Sequence, residues 1–138
     1  MTRIETLDSR IKHLAEQFVE DAFKAGIDVI VTSARRTIAE QNALYSHGRS
    51  KPGQIVTNAK GGSSPHNFGL AFDVVPVKNG VPQWNASNDV WERLGAIGKS
   101  LGLKWGGEFK TIVDRPHFEL PVWREVQAAW RRGEVQVA

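Results

Sequence analysis

Residues 64–75 read Ser-Pro-His-Asn-Phe-Gly-Leu-Ala-Phe-Asp-Val-Val, and they join a polar loop to an apolar segment. The residues before them, from about position 49, are rich in glycine and serine and poor in large apolar side chains, so they are predicted to form a long loop. From Leu70 onward apolar and β-branched residues dominate, which predicts a buried strand. Long loops inside small domains usually carry function. We therefore expect chemistry at this junction.

The sequence on either side of that strand predicts the remaining helices and strands. Thr37 and Glu40 form a capping-box pattern, and Asn79-Gly80 marks a tight turn between strands. Periodic apolar residues predict helices over residues 6–25, 37–47, 88–101 and 122–132, and short apolar or β-branched runs predict strands over residues 27–32, 70–75, 103–105 and 117–120. Helices and strands mix without regular alternation. This favours one α+β domain over residues 1–138, with a small antiparallel or mixed sheet rather than a parallel one.

The composition excludes several classes of protein. The 138 residues contain no cysteine, so disulfides, thiolate catalysis and cysteine-ligated zinc are ruled out. The net charge of +3 is mild, and the arginine pairs at 35–36 and 131–132 are too short to indicate a nucleic-acid partner. No apolar run approaches the roughly 18 residues of a transmembrane helix, and residues 1–8 carry acids where a signal peptide needs an apolar stretch. We expect synthesis in the cytoplasm, and any export would need a route outside this sequence.

Asp73 lies inside the apolar run, where an unpaired carboxylate would cost several kcal/mol. An arginine or a backbone turn could satisfy that carboxylate, and so could a metal ion. His66 lies seven residues earlier, at the end of the predicted loop. A lone loop histidine is ordinarily a surface residue, but beside a buried aspartate it becomes a candidate metal ligand.

A second segment, Asp114-Arg115-Pro116-His117-Phe118-Glu119, carries similar side chains. Pro116 cannot donate to a central ladder, so it marks the start of a strand. His117 and Glu119 then share one face of that strand, and Asp114 lies in the preceding loop. Taken alone, the segment would favour a core histidine and a solvent-facing acid.

Together, His66, Asp73 and His117 match the ligand set of a catalytic zinc site, which uses three protein ligands and leaves one position for water. We expect one zinc ion per chain. Peptide hydrolysis at such a site also needs a free carboxylate that takes a proton from water and passes it to the departing amine, and Asp114 suits that role. Glu119 suits the orientation of a ligand histidine.

Residues 64–73 resemble the Ser-x-His-x-x-Gly-x-Ala-x-Asp motif of the D-Ala-D-Ala carboxypeptidase / L-alanyl-D-glutamate peptidase family, zinc peptidases of bacteria and phages that cut peptidoglycan stem peptides. Residues 114–119 resemble its second motif, in which the base precedes the last histidine ligand by three residues. Residues 33–37, Ser-Ala-Arg-Arg-Thr, resemble its Ser-Gly-Tyr-Arg-Ser segment, which implies that Arg36 binds substrate and stabilises the oxyanion. The resemblance covers about residues 28–120. It implies a small antiparallel sheet flanked by helices, a fold shared with the signalling domain of Hedgehog proteins.

Family members of this size are similar to phage endolysins and bacterial L-alanyl-D-glutamate endopeptidases. The resemblance therefore implies a zinc peptidase that hydrolyses the L-Ala–D-Glu bond of stem peptides, and we expect it to act as a monomer. A D,D-carboxypeptidase acting on D-Ala-D-Ala ends remains an alternative, as does a zinc-containing module that binds the cell wall without cutting it. Arg35 stands where the family has an aromatic residue, and Glu108-Phe109 stands where Asp-Trp is common, so the substrate pocket departs from the family pattern.

Several weaker signals have two interpretations each. Ser64 could contact substrate or cap a turn, and Trp105 could line the cleft or belong to the core; we assign both to substrate binding. A serine triad of Ser64, His66 and Asp73 would leave the second motif unexplained. The tryptophans and arginines of the last predicted helix could bind a membrane or wall, but we expect the tryptophans to dock on the core.

Overall fold

The computed structural model describes residues 3–138, in which α-helices surround a small antiparallel sheet. The helices are α1 (Ser9–Lys24), α2 (Ile38–Ser46), α3 (Asn88–Ser100) and α4 (Trp123–Arg131). The strands are β1 (Val29–Ser33), β2 (Ala71–Lys78), β3 (Val81–Pro82), β4 (Lys104–Trp105) and β5 (His117–Glu119). Short 3-10 turns cover Arg3–Thr6, Pro65–Phe68 and Gly106–Glu108. The predicted α+β class is confirmed.

The sheet has the strand order β1-β2-β5-β4, and β3 pairs with β2 alone. Every strand pair is antiparallel. The predicted turn at Asn79-Gly80 closes the β2–β3 hairpin, with φ values of 52° and 76°. Both values are positive, as a type I′ hairpin turn requires. The central position of β2 and β5 matters most, because these strands carry the second and third candidate ligands.

The core fills the space between one face of the sheet and helices α1 and α3. The apolar stripe of α1, at Ile11, Ala15, Phe18 and Ala22, is buried. Phe18 packs edge-on against Phe72 of β2, with ring centroids 5.7 Å apart, and also contacts the ring of Phe118 on β5. These contacts leave the opposite face of β2 and β5 available for polar side chains.

Helix α4 docks through its tryptophans, as its pattern predicts. Trp123 is buried, and its ring stacks on Phe68 at a centroid distance of 6.2 Å. Trp130 meets the same Phe68 ring edge-on. Gln127 Nε2 donates to the carbonyl oxygen of Gly62 at 2.8 Å. The helix therefore supports the turn that carries His66.

Two features differ most clearly from the prediction. The first helix begins at Ser9 rather than at residue 6, because the Asp8 side chain accepts a hydrogen bond from the backbone N–H of Arg10 and so caps it. The short strand β3 has no counterpart among the predicted elements, since two exposed residues give no periodic signal. The capping box of Thr37 and Glu40 is present as predicted. Within residues 3–138, no helix combines the length and apolarity needed to cross a bilayer.

Candidate active site

Two of the candidate ligands lie side by side in the sheet. The register of β2 and β5 places Asp73 directly opposite His117, and that of β1 and β2 places Ser33 opposite Asp73. Residues directly opposite each other in adjacent strands project to the same face. One face of the sheet therefore carries a row of polar side chains, on the side away from the core phenylalanines.

His66 reaches this row from the 3-10 turn that precedes β2. Ser64 caps the turn, since its Oγ accepts from the His66 backbone N–H at 3.2 Å. Pro65 occupies the first position, and Gly69 ends the turn with a φ of 67°, a left-handed conformation that glycine adopts without strain. The sequence around His66 thus fixes the backbone direction of the turn.

Asn67 is the side chain that holds this turn against the rest of the protein. It is fully buried, and its Oδ1 accepts from the backbone N–H groups of Gly62 and Ser64 at 3.0 and 3.3 Å. Its Nδ2 donates to the carbonyl oxygens of Arg36 and Thr37 at 2.9 and 3.2 Å. Asn67 was not among the predicted site residues. The signal was a polar residue beside a candidate ligand at the edge of an apolar run.

The three candidate ligands converge on one point. One donor atom from each of His66, Asp73 and His117 lies within 4.8 Å of the other two. His66 Nε2 and His117 Nδ1 lie 3.4 and 3.1 Å from the same Asp73 oxygen, Oδ1. Ligand bonds of about 2.0–2.1 Å in a tetrahedron separate neighbouring donors by about 3.3 Å. Two imidazole nitrogens and one carboxylate oxygen at these separations fit a zinc ion.

The nitrogens that face away from this point are also bonded. His66 Nδ1 donates to the carbonyl oxygen of Ala34 at 2.7 Å, which leaves Nε2 directed at the other two candidate ligands. His117 Nε2 donates to Glu119 Oε1 at 2.8 Å, and Trp123 Nε1 donates to the other oxygen of Glu119 at 2.8 Å. Partners of this kind fix the tautomer and the ring orientation of metal-binding histidines.

The charges of the cluster are strongly coupled. Burial opposes ionisation of Asp73, but hydrogen bonds from His117 and His66 outweigh it and hold the pKa of that carboxyl well below its usual range. Burial alone would lower the pKa of His117, but hydrogen bonds to Asp73 and Glu119 raise it to about 9. The pKa of Glu119 is lowered by His117 despite its burial. In the metal-free cluster a proton on His117 thus occupies the position that a cation would take.

Asp114 lies at the rim of a cleft of about 670 Å³ that His117, Glu119 and Ser64 also line. Its backbone N–H donates to the carbonyl oxygen of Gly106 at 2.9 Å, which ties its loop to the turn after β4. Neighbouring protein atoms displace part of the water around its carboxyl, and Asp73 repels a second negative charge, so the pKa of Asp114 is raised. A carboxyl with a raised pKa is suited to exchanging protons near neutral pH.

Arg36 lies on the opposite side of the cluster. Its guanidinium donates to Gln41 Oε1 at 2.8 Å and to Ser33 Oγ at 3.1 Å, and Gln41 is itself buried and donates to the carbonyl oxygen of Ala59. Arg36 also lines a separate cleft of about 420 Å³. Its charge acts on Asp114 across the site and partly offsets the rise in the pKa of that carboxyl.

The two residues expected to contact substrate are placed differently. Ser64 lines the 670 Å³ cleft, but its hydroxyl oxygen caps the His66 turn. Trp105 is 3% exposed and is not part of the cleft lining, and its Nε1 donates to the carbonyl oxygen of Arg115 at 2.8 Å. This placement does not support a contact between Trp105 and substrate. Through this hydrogen bond Trp105 anchors the loop that carries Asp114.

Comparison with known proteins gives the same picture. A family model described as D-alanyl-D-alanine carboxypeptidase matches residues 57–120. The chain is 40% identical over 118 residues, 80% of its length and 71% of the relative, to the peptidoglycan L-alanyl-D-glutamate endopeptidase CwlK of Bacillus subtilis. It is 28% identical over 120 residues, 86% of its length and 40% of the relative, to the L-alanyl-D-glutamate peptidase of Listeria phage A118.

Solved structures share the fold. The L-Ala D-Glu endopeptidase ChiX of Serratia marcescens superposes with a TM-score of 0.64 at 23% identity, covering 91% of this chain and 87% of that one. The vancomycin resistance D,D-pentapeptidase VanY, solved with Zn(II), superposes with a TM-score of 0.62 at 19% identity, covering 92% of this chain and 79% of that one. These likenesses extend over nearly the whole chain.

Proposed function

The chain belongs to the family of D-alanyl-D-alanine carboxypeptidases and L-alanyl-D-glutamate peptidases, and we propose that it is a zinc-dependent peptidase that hydrolyses the L-Ala–D-Glu bond of peptidoglycan stem peptides. The observation that carries this proposal is the convergence of His66, Asp73 and His117 at 4.8 Å or less, with Asp114 at the rim of the same cleft. The choice of bond is supported by the 40% identity to a peptidase of that specificity. The expected setting is the cell wall, with one zinc ion and one chain as the working unit.

The ligands in this proposal are His66 Nε2, Asp73 Oδ1 and His117 Nδ1. Zinc bound there supplies a Lewis acid that polarises the peptide carbonyl and lowers the pKa of water. One carboxylate among three ligands leaves the metal with a net positive charge, which keeps it electrophilic. Ala34 and Glu119 hold the two imidazoles in the tautomers that the metal needs.

Asp114 is the general base and then the general acid. Its carboxylate takes a proton from the attacking water and delivers the proton to the nitrogen of the departing D-Glu residue. The raised pKa favours both steps, because the group must accept the proton and release it within one turnover. Its backbone is held beside the cleft because Gly106 and Trp105 anchor the loop that carries it.

Arg36 is assigned to the carbonyl oxygen of the scissile bond. A guanidinium next to the Ser33–Asp73 end of the row supplies positive charge where the oxygen becomes negative. Gln41 accepts a hydrogen bond from that guanidinium and fixes its orientation, so the Arg36 side chain loses little freedom when substrate binds. Ser64 contributes through the cleft surface while it keeps the His66 turn capped.

The test is a digest of purified peptidoglycan followed by mass spectrometry. Zinc-loaded protein is expected to produce fragments with new D-Glu amino termini, and removal of zinc by a chelator should stop their formation. Release of free D-Ala would instead indicate D,D-carboxypeptidase activity. Binding to the wall with no cleavage at all would favour a non-catalytic module.

A pair of variants separates the chemistry from the metal. Asp114→Asn should keep zinc and lose about 10²–10⁴-fold in kcat, the usual contribution of a general acid–base group. Glu108→Gln is the matched control, because Glu108 is an exposed acid that lines the same cleft and pairs with Lys99. Loss of zinc from Asp114→Asn would show that the ligand set is assigned wrongly.

A further inference from the structure

A second cleft lies beside the metal-site cleft and shares Asp114 with it. Its volume is about 320 Å³, and its other walls are Trp84, Trp91, Val113, Arg115 and Pro116. Trp84 is 56% exposed and Val113 is 57% exposed, whereas Trp91 is buried in the core. The outer walls of this cleft are therefore apolar surface that the protein itself does not cover. We refer to it as the Trp84 cleft.

The order of groups across the sheet gives the direction in which a substrate lies. Arg36 donates a hydrogen bond to Ser33, which lies on the edge strand β1. Asp73 and His117 lie on the central strands β2 and β5. Asp114 lies in the connection between β4 and β5, at the other edge of the sheet. Arg36 is assigned to the carbonyl oxygen and Asp114 to the departing amine. The part of the substrate on the amine side must therefore leave the metal site past Asp114, and the Trp84 cleft begins there.

We propose that the Trp84 cleft binds the amine-side part of the stem peptide, with Arg115 pairing the free carboxylate of D-Glu and Trp84 packing against the aliphatic side chain of the next residue. This inference rests on the proposed function. D-Glu has two carboxyl groups and uses one of them for the next peptide bond, so a carboxylate remains beside the scissile nitrogen.

A substrate carboxylate in the Trp84 cleft needs a cationic partner, because the cleft wall already carries a negative charge. Asp114 is an acid on the shared wall and repels a second carboxylate. Arg115 is the next residue along the chain, it is exposed, and the ion pairs formed within residues 3–138 do not include it. A guanidinium binds a carboxylate through two parallel hydrogen bonds, which makes it selective for that group over a neutral amide.

Arg115 can be replaced without disturbing its loop. Its anchoring contact is made by the backbone, because its carbonyl oxygen accepts from Trp105 Nε1 at 2.8 Å. Trp84 lies in the connection between β3 and α3, outside the sheet, and its exposed indole can be shortened without opening the core. Both positions therefore allow changes that report on ligand binding rather than on folding.

The experiment compares two synthetic peptides that contain the L-Ala–D-Glu bond, one with a free carboxylate on D-Glu and one with a carboxamide in its place. The wild-type protein should favour the free carboxylate in kcat/KM by about tenfold or more, the range of a charge-assisted hydrogen bond. Arg115→Gln should cleave both peptides equally, and most of its loss should appear in KM. Arg131→Gln, an exposed arginine near the end of α4, is the matched control and should keep the preference.

Trp84 is tested in the same assay with two variants. Trp84→Ala should raise KM about tenfold for peptides that extend beyond D-Glu and leave zinc content unchanged, and Trp84→Phe should recover most of the loss. A preference for the free carboxylate that survives Arg115→Gln would overturn the assignment of Arg115. A KM that is unchanged in Trp84→Ala would overturn the assignment of Trp84.

A binding measurement keeps this inference separate from the proposed function. The dipeptide D-Glu–L-Lys, which corresponds to the amine-side product, is titrated into zinc-loaded protein while the indole N–H signals are followed by NMR. A shift of the Trp84 signal that disappears in Arg115→Gln supports the cleft even if neither longer peptide is cleaved. If the longer peptides are cleaved but the dipeptide leaves the Trp84 signal unmoved, the cleft assignment is wrong and the peptidase assignment stands.

Discussion

Replacing Glu119 with glutamine tests whether zinc affinity depends on the group behind His117. Glu119 is 8% exposed, and its two oxygens accept hydrogen bonds from His117 Nε2 and Trp123 Nε1, each at 2.8 Å. Glutamine has nearly the same shape, but its amide nitrogen cannot accept. One of the two donors must therefore lose its acceptor in a buried position.

The size of the effect follows from two opposing terms. Loss of the hydrogen-bond partner of a metal-binding histidine lowers metal affinity about 10–100-fold, or about 1.4–2.8 kcal/mol. Removing the charge of Glu119 also lowers the pKa of His117, which is about 9 in the metal-free protein, so protons compete less with zinc at neutral pH. The full deficit should therefore appear near pH 9, and a smaller one near pH 7.

Zinc affinity is measured by competition with a chromophoric chelator at both pH values. Glu108→Gln is the matched control, because it removes the same charge from an exposed acid of the same cleft. Circular dichroism confirms that each variant is folded. Equal affinities of Glu119→Gln and Glu108→Gln at pH 9 would refute the argument that Glu119 orients and polarises His117.

The same structure leads to four further predictions. In the metal-free protein the pKa of His117 is raised from 6.5 to about 9. Its contribution to the free energy of unfolding should therefore be complete below pH 6.5 and lost as the pH rises through 9, which thermal unfolding at several pH values will measure. Zinc must displace that proton, so zinc affinity should rise over the same interval, with proton release detected by calorimetry in buffers of different ionisation enthalpy. Asn67→Ala removes four hydrogen bonds between its side chain and the backbone and takes their acceptor from the buried N–H groups of Gly62 and Ser64, so we expect a loss of about 3 kcal/mol in urea unfolding, with weaker zinc binding. Gly98→Ala should lose about 1–3 kcal/mol in the same measurement, because a Cβ at Gly98 overlaps the Phe118 ring; an unchanged unfolding midpoint in either variant would contradict the packing described.

The positions of the three candidate ligands were predictable because each one depends on local pattern. Asp73 lies in an apolar run and His117 follows a proline that starts a strand, so both strands and the facing of their side chains can be inferred from sequence. Their direct opposition in the antiparallel register completes the pair. The turn that carries His66 is set by the capping serine and the proline beside it.

Glu119, the partner of His117, was predicted from its place on the same strand, but the partners of His66 and of its turn were less predictable because they come from distant parts of the chain. The carbonyl oxygen of Ala34 that fixes His66 belongs to a segment 32 residues away, and no side-chain pattern identifies a backbone acceptor. Asn67 also bonds backbone carbonyl oxygens, those of residues 36 and 37, and no side-chain pattern identifies these acceptors either. Trp105 illustrates the converse: a tryptophan before two glycines is typical of both a cleft and a core, and only packing against Gly95 and Gly107 decides between them.

The central claim is tested most directly by digesting peptidoglycan with zinc-loaded protein in ¹⁸O-labelled water and locating the label by mass spectrometry. Hydrolysis of the L-Ala–D-Glu bond places one ¹⁸O in the carboxyl group of L-Ala and leaves D-Glu with a free amino group. We predict that label at L-Ala, with none after chelation and almost none with Asp114→Asn. Label in a newly exposed D-Ala carboxyl, together with free D-Ala, or the absence of label from every fragment, would contradict the account.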